Sequence, residues 1–184
     1  MTNNIQGWMF DEELNYLNNI ARHMGSIVEI GTWRGRSALA LASSCNGIVH
    51  CVDTWKGNAY DADQMAEAVA NNIKQEFIDN MKRYDLIDQI RAYHTTSVEA
   101  SKLFKDKSID MLFIDGNHEY EFVKLDLDSW YPKIKKVIIG HDWTGDQVQK
   151  AVNEFASTYN YTVKTNLPGS LWQINLNYLI EDDE

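Results

Sequence analysis

A glycine turn between a short apolar run and a helix-forming run constrains this chain more than any other feature. Residues 27–30, Ile-Val-Glu-Ile, predict a buried strand, and Gly31 ends it. Gly35 follows four residues on, and Ser37 opens a run of alanine and leucine that favours a helix. Glycine lets the backbone approach a ligand closely, and a helix N-terminus offers unpaired N–H groups. The order strand, glycine turn, helix is therefore typical of a nucleotide-type site, with a plain strand-to-helix turn as the structural alternative.

Apolar runs and helix-like segments alternate along the rest of the chain. Five runs predict buried strands, at 27–30, 48–52, 90–94, 110–114 and 137–140. Helical spacing of apolar residues predicts helices at 11–23, 98–104, 120–130 and 146–159, and one long helix, or a short lid plus a helix, at 63–83. Two last runs, 161–165 and 171–176, flank five residues rich in turn formers, which predicts an antiparallel hairpin. We therefore expect an α/β fold, a Rossmann-like, doubly wound and mostly parallel sheet that ends in an antiparallel hairpin.

Length and composition fit one domain in a reducing compartment. The 184 residues carry a formal charge of −10, and since nucleic-acid binding depends on basic side chains, a nucleic-acid partner is not expected. The chain has two cysteines, Cys45 and Cys51, no signal-peptide pattern at its start, and no run that approaches about 20 apolar residues. We expect a single domain over 1–184, with an N-terminal helix at 11–23 and a core at 26–176, reduced thiols, no membrane association and a cytoplasmic location.

Polar residues follow four of the five predicted parallel strands. They are Glu29 with Gly31, Asp53, Asp115 to His118, and Gly140 to Asp142. Parallel strands end on the same side of a sheet, so these side chains are expected to converge on one ligand site. Asp53 lies about 20 residues past the glycine turn, where an acid either holds a ribose diol or caps a turn.

A ribose-binding acid fits a site for NAD or for S-adenosylmethionine. The NAD fingerprint has three spaced glycines, whereas Gly31 and Gly35 stand alone here. A carboxylate at Glu29 repels a diphosphate but suits a ligand that carries an ammonium and a sulfonium. The terminal hairpin is also not required in a dinucleotide domain. These features favour S-adenosylmethionine, while a nicotinamide-dependent oxidoreductase on the same fold stays an alternative.

The glycine turn and the strand ends also resemble known motifs. Residues 28–37, Val-Glu-Ile-Gly-Thr-Trp-Arg-Gly-Arg-Ser, resemble the first motif of class I S-adenosylmethionine-dependent methyltransferases, within the small-molecule O-methyltransferase branch. Residues 52–55, Val-Asp-Thr-Trp, resemble the second motif. Residues 113–120 with 140–142 look like the subgroup that includes sugar O-methyltransferases and cephalosporin-hydroxylase-like proteins. The resemblance covers roughly residues 26–143 and implies a methyltransferase acting on a hydroxyl of a small molecule.

The resemblance implies a role for each matching position. Phe77, Asn80 and Ser97 fall where the subgroup has them, and Ser97 would lie near the adenine. Asp53 would take the ribose hydroxyls, and Asp115 would sit beside the sulfonium and the amino group. The implied cofactor-binding residues are Glu29, Gly31, Thr32, Trp33, Gly35, Ser37, Asp53, Thr54, Trp55, Ser97 and Asp115.

Catalytic and metal roles follow the same resemblance. In several relatives a divalent metal is held by an acid at the position of Asp115 and by residues at the end of the fifth strand, here His141 and Asp142. Oxygen ligands suit magnesium, and a histidine also admits manganese or zinc-like ions. The structural alternative is that Asp142 caps the next helix and His141 packs under Trp143. We expect His118, or else His141, to act as the base for a hydroxyl acceptor, because histidine titrates near neutral pH.

Several residues near these motifs have two interpretations. The aromatic residues are expected either to flank adenine and sulfonium or to fill gaps at the sheet rim; they are Trp33, Trp55, Tyr120 and Trp143. Arg34 and Arg36 either meet the cofactor carboxylate or are solvated. A non-catalytic binding protein and a cofactor-degrading enzyme also stay open.

Two departures from the family pattern concern the turn before the fifth strand and the cover over the acceptor. The usual proline-glycine-glycine turn is replaced by Lys-Ile-Lys-Lys at 133–136. Only the loop at 55–63 and the N-terminal helix are available to cover an acceptor, which leaves room for a partner subunit.

Overall fold

The fold is a central sheet with helices on both faces, seen in a computed structural model that describes residues 4–58 and 61–176. The strands are β1 (Ser26–Ile30), β2 (Ile48–Asp53), β3 (Ile90–His94), β4 (Ile109–Ile114), β5 (Ile134–Gly140), β6 (Val163–Lys164) and β7 (Trp172–Asn175). The helices are α1 (Asp11–Ala21), α2 (Arg36–Ala42), α3 (Ala62–Ala70), α4 (Ile73–Arg83), α5 (Ser97–Ser101), α6 (Tyr120–Trp130) and α7 (Asp146–Thr158).

The strand order confirms the predicted fold class. The sheet runs β3-β2-β1-β4-β5-β7-β6. Neighbours among β1 to β5 pair in parallel, whereas β7 is antiparallel to both β5 and β6. The chain leaves β1 toward β2 on one side and returns to β4 on the other, so the topological switch point lies beside the carboxyl end of β1.

The segment predicted as one long helix, or a lid and a helix, forms two helices. α3 ends at Ala70, and α4 starts after Asn72, whose side chain accepts a hydrogen bond from the N–H of Gln75. α3 buries none of its residues, whereas α4 buries Ile73, Phe77 and Met81 at helical spacing. The buried residues of α4 therefore pack into the core, whereas α3 lies on the surface.

Other boundaries differ from the prediction at their ends. α5 stops at Ser101 rather than at 104, and β5 starts at Ile134, three residues early. A short 3₁₀ helix, Tyr131–Lys133, with Pro132 in its first turn, replaces the absent proline-glycine-glycine turn before β5. The acidic tail at 181–184 lies outside the described residues.

The core is split into two layers by the sheet. Successive strand side chains point to opposite faces, so Met111 and Phe113 join the layer under α1, α2 and α4, while Leu112 and Ile114 join the layer under α6 and α7. All four are at most 4% exposed. Within 4–58 and 61–176, no helix combines the length and the apolar character that crossing a bilayer requires.

Candidate active site

A cavity of about 700 Å³ opens at the carboxyl ends of the parallel strands. The sequence-predicted residues that line it are Gly31, Thr32, Trp33, Ser37, Asp53, Thr54, Ser97, Asp115, His118, His141 and Asp142. The structure thus brings together side chains that are up to 111 positions apart in the chain, from Gly31 to Asp142. Three predicted site residues, Glu29, Gly35 and Trp55, are not among the lining residues.

Gly31 shapes the floor of the cavity. Its backbone has φ +87°, and its N–H donates to the carbonyl of Val52 at 3.0 Å. A Cβ atom at this position would lie 2.0 Å from the carbonyl oxygen of Asp115. The ends of β1 and β4 therefore approach so closely that glycine is required between them.

Gly35 has a packing role instead. It is left-handed at φ +88°, and a Cβ atom there would lie 2.7 Å from the ring of Phe77. Asn80, from the same helix as Phe77, donates its side-chain N–H to the carbonyl of Arg34 at 3.0 Å. α4 thus stabilises the glycine turn through two contacts, the packing of Phe77 on Gly35 and the hydrogen bond from Asn80 to Arg34.

Glu29 lies beneath the turn rather than in the cavity. Its side chain is fully buried, and the hydroxyl of Thr32 donates to its Oε2 at 2.8 Å. Burial raises the pKa of Glu29 to about 7, and hydrogen bonds from Ser37 and Thr32 oppose that shift. Glu29 is therefore connected to the cavity only indirectly, through its hydrogen bonds with Thr32 and Ser37, because these two residues line the cavity.

Asp53 joins the glycine turn, at Trp33, to the loop after β2, at Trp55, at the rim of the cavity. One carboxylate oxygen accepts the N–H of Trp33 at 2.7 Å, and the other accepts the N–H of Trp55 at 2.6 Å. Burial raises the pKa of Asp53, while these backbone N–H groups oppose the shift. The N–H groups of Thr32 and Thr54 oppose the shift as well. Among the described residues, only the bonds from Trp33 and Trp55 meet full hydrogen-bond geometry, and a carboxylate offers about four acceptor positions, which leaves positions that suit a ligand diol.

Of the four aromatic candidates, only Trp33 lines the cavity. Trp55 is 6% exposed, stacks on Phe77 with ring centroids 5.7 Å apart, and donates its indole N–H to the carbonyl of Trp33. Tyr120 donates its hydroxyl to Glu154, away from the cavity, and Trp143 packs against the core. For these three residues the gap-filling interpretation matches the contacts.

Arg34 is buried and paired with two glutamates, and so it is not the solvated side chain of one expectation. It is 6% exposed, and ion pairs at 2.8 Å to Glu67 and 2.6 Å to Glu76 tie the turn to α3 and α4. Its Nη1 atom and the indole Nε1 of Trp33 are buried without a hydrogen-bond partner among the described residues. Because both residues line the cavity, these two donors are suited to an anionic or acceptor group of a ligand.

Acids and histidines cluster where β4 and β5 end. Ligand atoms of Asp115, His118 and Asp142 all lie within 4.8 Å of one another. The Nε2 atom of His118 is 2.9 Å from Oδ2 of Asp142, and Nδ1 of His141 is 3.1 Å from that same oxygen. Nδ1 of His141 is also 3.5 Å from Oδ1 of Asp115. Predicted catalytic and metal-binding residues therefore share one cluster.

The charges in this cluster are strongly coupled. Burial acts to lower the pKa of His141, but hydrogen bonds to Asp115 and Asp142 outweigh it and raise that pKa to about 11. The hydrogen bond with Asp142 raises the pKa of His118. Burial raises the pKa of Asp115, whereas the two histidines hold the pKa of Asp142 well below its usual range in spite of burial.

Asp142 is itself held in an unusual conformation. Its φ of +58° is uncommon for a residue other than glycine. The N–H of Asp142 donates to the hydroxyl of Ser170 at 3.3 Å, and the N–H of Trp143 donates to the carbonyl of Ser170 at 2.9 Å. The turn at Ser170 thus fixes the backbone that aims Asp142 at both histidines.

Two buried acids at the site were missed by sequence reasoning. Glu13 of α1 is 1% exposed, and its Oε1 lies 2.9 Å from Nε2 of His141. Asp126 of α6 is 6% exposed and lines the cavity. A signal existed only for Asp126, which is spaced by three and four residues from the buried Val123 and Trp130 and so falls on the inner face of its helix.

Asp126 is hydrogen-bonded to Ser97, which also lines the cavity. Burial raises the pKa of Asp126 to about 7, and a hydrogen bond with Ser97 opposes that shift. The indole N–H of Trp130 donates to the same Ser97 hydroxyl at 2.8 Å. Ser97 is therefore fixed between a helix α6 acid and a helix α6 indole.

The strand order, the glycine turn and a cavity at the switch point define a class I methyltransferase fold. Residues 28–143 match a family model described as a methyltransferase domain, which is more than half of the chain. The chain belongs to this methyltransferase family. That membership confirms the resemblance carried by the sequence motifs.

One relative matches part of this chain in sequence. An uncharacterized protein of Sinorhizobium fredii, y4gI, is 33% identical over 127 residues, which are 63% of this chain but only 13% of that protein. This chain therefore spans a small part of the length of that relative.

Solved structures extend the likeness over nearly the whole chain. A Staphylococcus aureus protein, provisionally assigned as a caffeoyl-CoA O-methyltransferase, superposes with a TM-score of 0.71 at 19% identity, covering 93% of this chain and 86% of that one. The O-methyltransferase TomG of Streptomyces achromogenes, involved in tomaymycin synthesis and solved with S-adenosylmethionine, gives a TM-score of 0.66 at 13% identity, covering 93% of this chain and 82% of TomG.

Proposed function

We propose that this protein transfers a methyl group from S-adenosylmethionine to a hydroxyl of a small-molecule acceptor. One observation carries the proposal: a single cavity is lined both by Asp53 beside the glycine turn and by the cluster of Asp115, His118 and Asp142. The first set suits a nucleoside, and the second suits deprotonation of an acceptor. Membership in the methyltransferase family and the likeness to TomG support the same reaction.

The residues fit the methyl donor in three places. Asp53 keeps acceptor capacity for a ribose diol, and Gly31 lines the cavity without a side chain that would stand in the way of a ligand. The unpaired Nη1 of Arg34 and Nε1 of Trp33 suit a carboxylate, which the amino-acid end of S-adenosylmethionine carries. Asp115, next to Gly31, suits the neighbouring ammonium group.

The contribution of the protein to the proposed reaction is to position the two reactants and to exclude water from the reacting atoms. S-adenosylmethionine supplies an electrophilic methyl on a sulfonium, so the transfer needs an in-line nucleophile rather than a covalent enzyme intermediate. Holding two reactants in such a geometry supplies much of the rate enhancement in reactions of this kind. Trp33, Met9 and Phe122 give the cavity wall apolar surface that excludes water from the reacting atoms.

His118 is the proposed base. Its Nε2 is 2.9 Å from Oδ2 of Asp142, which orients the ring and stabilises the imidazolium that forms when the acceptor hydroxyl gives up its proton. His118 follows Asp115 by three residues, so the base and the residue proposed to lie beside the donor belong to the same turn. His141 is a weaker candidate because both of its ring nitrogens already have partners.

The cluster also fits a divalent cation, proposed here at Asp115, His141 and Asp142. Two carboxylates and an imidazole suit manganese or magnesium, and Nδ1 of His141 lies 3.1 Å from Asp142 and 3.5 Å from Asp115, close enough for the three groups to share one ion. A bound cation would lower the pKa of an acceptor hydroxyl. Asp142 would then orient both His118 and the ion.

The remaining parts of the proposal concern the surroundings. We expect a small hydroxylated acceptor as the partner, no nucleic acid, and a cytoplasmic setting in which Cys45 and Cys51, both buried free thiols, stay reduced. The described parts of the cover are the segment Gln6 to Met9 and the loop residues Lys56 to Asn58, which line the cavity. A second copy of the chain is a candidate for completing that cover.

Calorimetric titration with S-adenosylmethionine, and with NADH as control, tests the cofactor. Binding of the first and not the second is expected, and the reverse would support the oxidoreductase alternative. Turnover on a panel of hydroxylated acceptors, with magnesium, manganese or excess chelator, then tests transfer and the metal. Loss of S-adenosylmethionine without an acceptor would indicate a degrading enzyme, and binding without turnover would indicate a binding protein. Full activity in excess chelator would exclude the metal.

A further inference from the structure

A buried carboxylate from the N-terminal helix reaches the site, and the proposed reaction gives it no role. Glu13 lies in the first turn of α1 and is 1% exposed. Its Oε2 accepts the N–H of Phe10 at 2.7 Å, which caps the helix. Its Oε1 points the other way, to His141 Nε2 at 2.9 Å. A helix cap needs only the first of these contacts, so the second calls for its own explanation.

The turn before β7 is built around this carboxylate. The N–H of Ser170 donates to Oε1 of Glu13 at 2.9 Å. Gly169 is left-handed at φ +58°, and a Cβ atom there would lie 2.0 Å from the same Oε1. The hydroxyl of Ser170 is also 2.9 Å from Nε2 of His141. One edge of the imidazole is therefore held by α1 and by the β7 turn together.

The opposite edge of the imidazole faces the acidic cluster. Nδ1 of His141 is 3.1 Å from Asp142 and 3.5 Å from Asp115. A neutral imidazole that donates its one proton from Nε2 to a carboxylate has its lone pair at Nδ1, and a metal ion there takes the place of the second proton of the imidazolium. With Glu13 as that acceptor, the lone pair of neutral His141 would be directed to the space between Asp115 and Asp142. A histidine ligand is commonly oriented in this way, by a carboxylate behind its other nitrogen.

We propose that Glu13 is a positioning residue that accepts the Nε2 proton of His141 and so presents Nδ1 as a metal ligand beside Asp115 and Asp142. This inference rests on the proposed divalent-cation site. It assigns helix α1 a part in that site, although α1 lies outside the residues 28–143 that match the methyltransferase family. It also separates the two histidines, because His118 has no comparable partner from outside the cluster among the described residues.

Metal affinity tests the proposal without any need for an acceptor. Manganese is titrated by calorimetry into the purified full chain, into Glu13→Gln, and into the control Glu12→Gln, whose exposed side chain neighbours Glu13 on the same helix. Loss of such an orienting partner typically weakens metal binding about 10- to 100-fold. We expect a loss of that size in Glu13→Gln and none in Glu12→Gln.

The outcomes separate this inference from the metal proposal. Manganese binding by the natural chain with unchanged affinity in Glu13→Gln would overturn the positioning role alone and leave Glu13 as a helix cap. Absence of manganese binding by the natural chain would overturn both. Thermal unfolding without metal shows whether Glu13→Gln is folded.

A second measurement keeps the test independent of folding in the variant. Nitrogen-15 spectra of the natural chain loaded with diamagnetic zinc report which ring nitrogen carries the proton, with His141 assigned by the loss of its signals in His141→Gln. A proton on Nε2, with Nδ1 shifted by the metal, supports the proposal. A proton on Nδ1 overturns it whatever the variants show.

Discussion

His118 and Asp142 face each other across the mouth of the cavity, with Nε2 of the histidine 2.9 Å from Oδ2 of the acid. They come from different segments, the turn after β4 and the turn after β5, and only the parallel pairing of these strands brings them together. The carboxylate orients the ring and stabilises its charged form. This pair is the centre of the proposed deprotonation.

Replacing the proposed base should affect turnover rather than cofactor binding. His118→Ala is expected to lower kcat by about 10²–10⁴-fold, the usual contribution of a general base, while the Kd for S-adenosylmethionine changes little. Steady-state kinetics and calorimetry on the same preparation check both quantities. His23→Ala, an exposed histidine outside the cavity lining, is the control. Equal losses in kcat and in affinity would instead give His118 a binding role.

Asp53 is expected to dominate the binding of the ribose. A hydrogen bond to a charged group contributes about 1.5–3 kcal/mol, so Asp53→Ala should weaken S-adenosylmethionine binding at least about tenfold. Loss of the anchors for Trp33 and Trp55 adds to that effect. Calorimetry measures the affinity, with the exposed Asp88→Ala as control. Unchanged affinity in Asp53→Ala would remove the ribose assignment.

Gly31 should not tolerate a side chain. Gly31→Ala places a methyl group 2.0 Å from the Asp115 carbonyl in a left-handed backbone, which alone costs about 1–2 kcal/mol. We expect a lower Tm and loss of cofactor binding. Gly25→Ala is the matched control, because its Cβ would lie at an ordinary 3.4 Å from Asp110. A stable Gly31→Ala protein with normal affinity would show that the close approach of β1 and β4 is not needed.

Arg34 is expected to distinguish ligands that carry a carboxylate. The natural chain should bind S-adenosylmethionine more tightly than its decarboxylated analogue, and Arg34→Lys should lose about 1.5–3 kcal/mol of that preference, the range for a charged hydrogen bond. Competition binding with the two ligands measures the preference. Arg22→Lys, on the exposed side of the chain, should keep it. A preference that survives in Arg34→Lys would place the carboxylate elsewhere.

Asp126 should make stability fall as pH rises through the acidic range. Burial raises its folded pKa to about 7, above the unfolded value, so between about pH 4 and 7 the folded state binds a proton that the unfolded state has lost. Stability contributed by the protonated form is therefore lost with rising pH, on the order of 1 kcal/mol per pH unit. Asp126→Asn should flatten that slope, measured by urea unfolding at several pH values. The exposed Asp128→Asn should leave it in place, and an unchanged slope in both would contradict the assignment.

The sequence predicted the positions of the parallel strands well, most clearly for β4, which is buried at every position. The prediction of a buried strand at 90–94 was wrong in its burial, because β3 lies at the edge of the sheet and only Ile90 is buried. The residues that follow these strands were placed on one edge by topology, which is why Asp53, Asp115 and Asp142 were found together. Helix ends were less predictable, since capping by Asn72 depends on one side chain.

The site contacts that were missed depend on packing at long sequence separation. In the sequence, Glu13 is an ordinary acid in the first turn of a helix, and the residues around it give no sign of its contact with His141, which is 128 positions away. Trp55 and Glu29 sit within recognisable motifs, yet close packing turns the first onto Phe77 and leaves the second beneath Thr32. A motif therefore identifies positions near a site, whereas side-chain packing decides which of them reach the cavity.

The hydrogen bond between Ser170 and Glu13 joins residues separated by 157 positions. During synthesis the N-terminal helix emerges first and the turn at Ser170 emerges among the last described residues. His141 therefore has no complete set of partners until almost all of the described chain has left the ribosome. A nascent chain that stops short of that turn can complete the parallel strands while the imidazole stays unoriented, so assembly of the site has to wait for synthesis of the turn at Ser170.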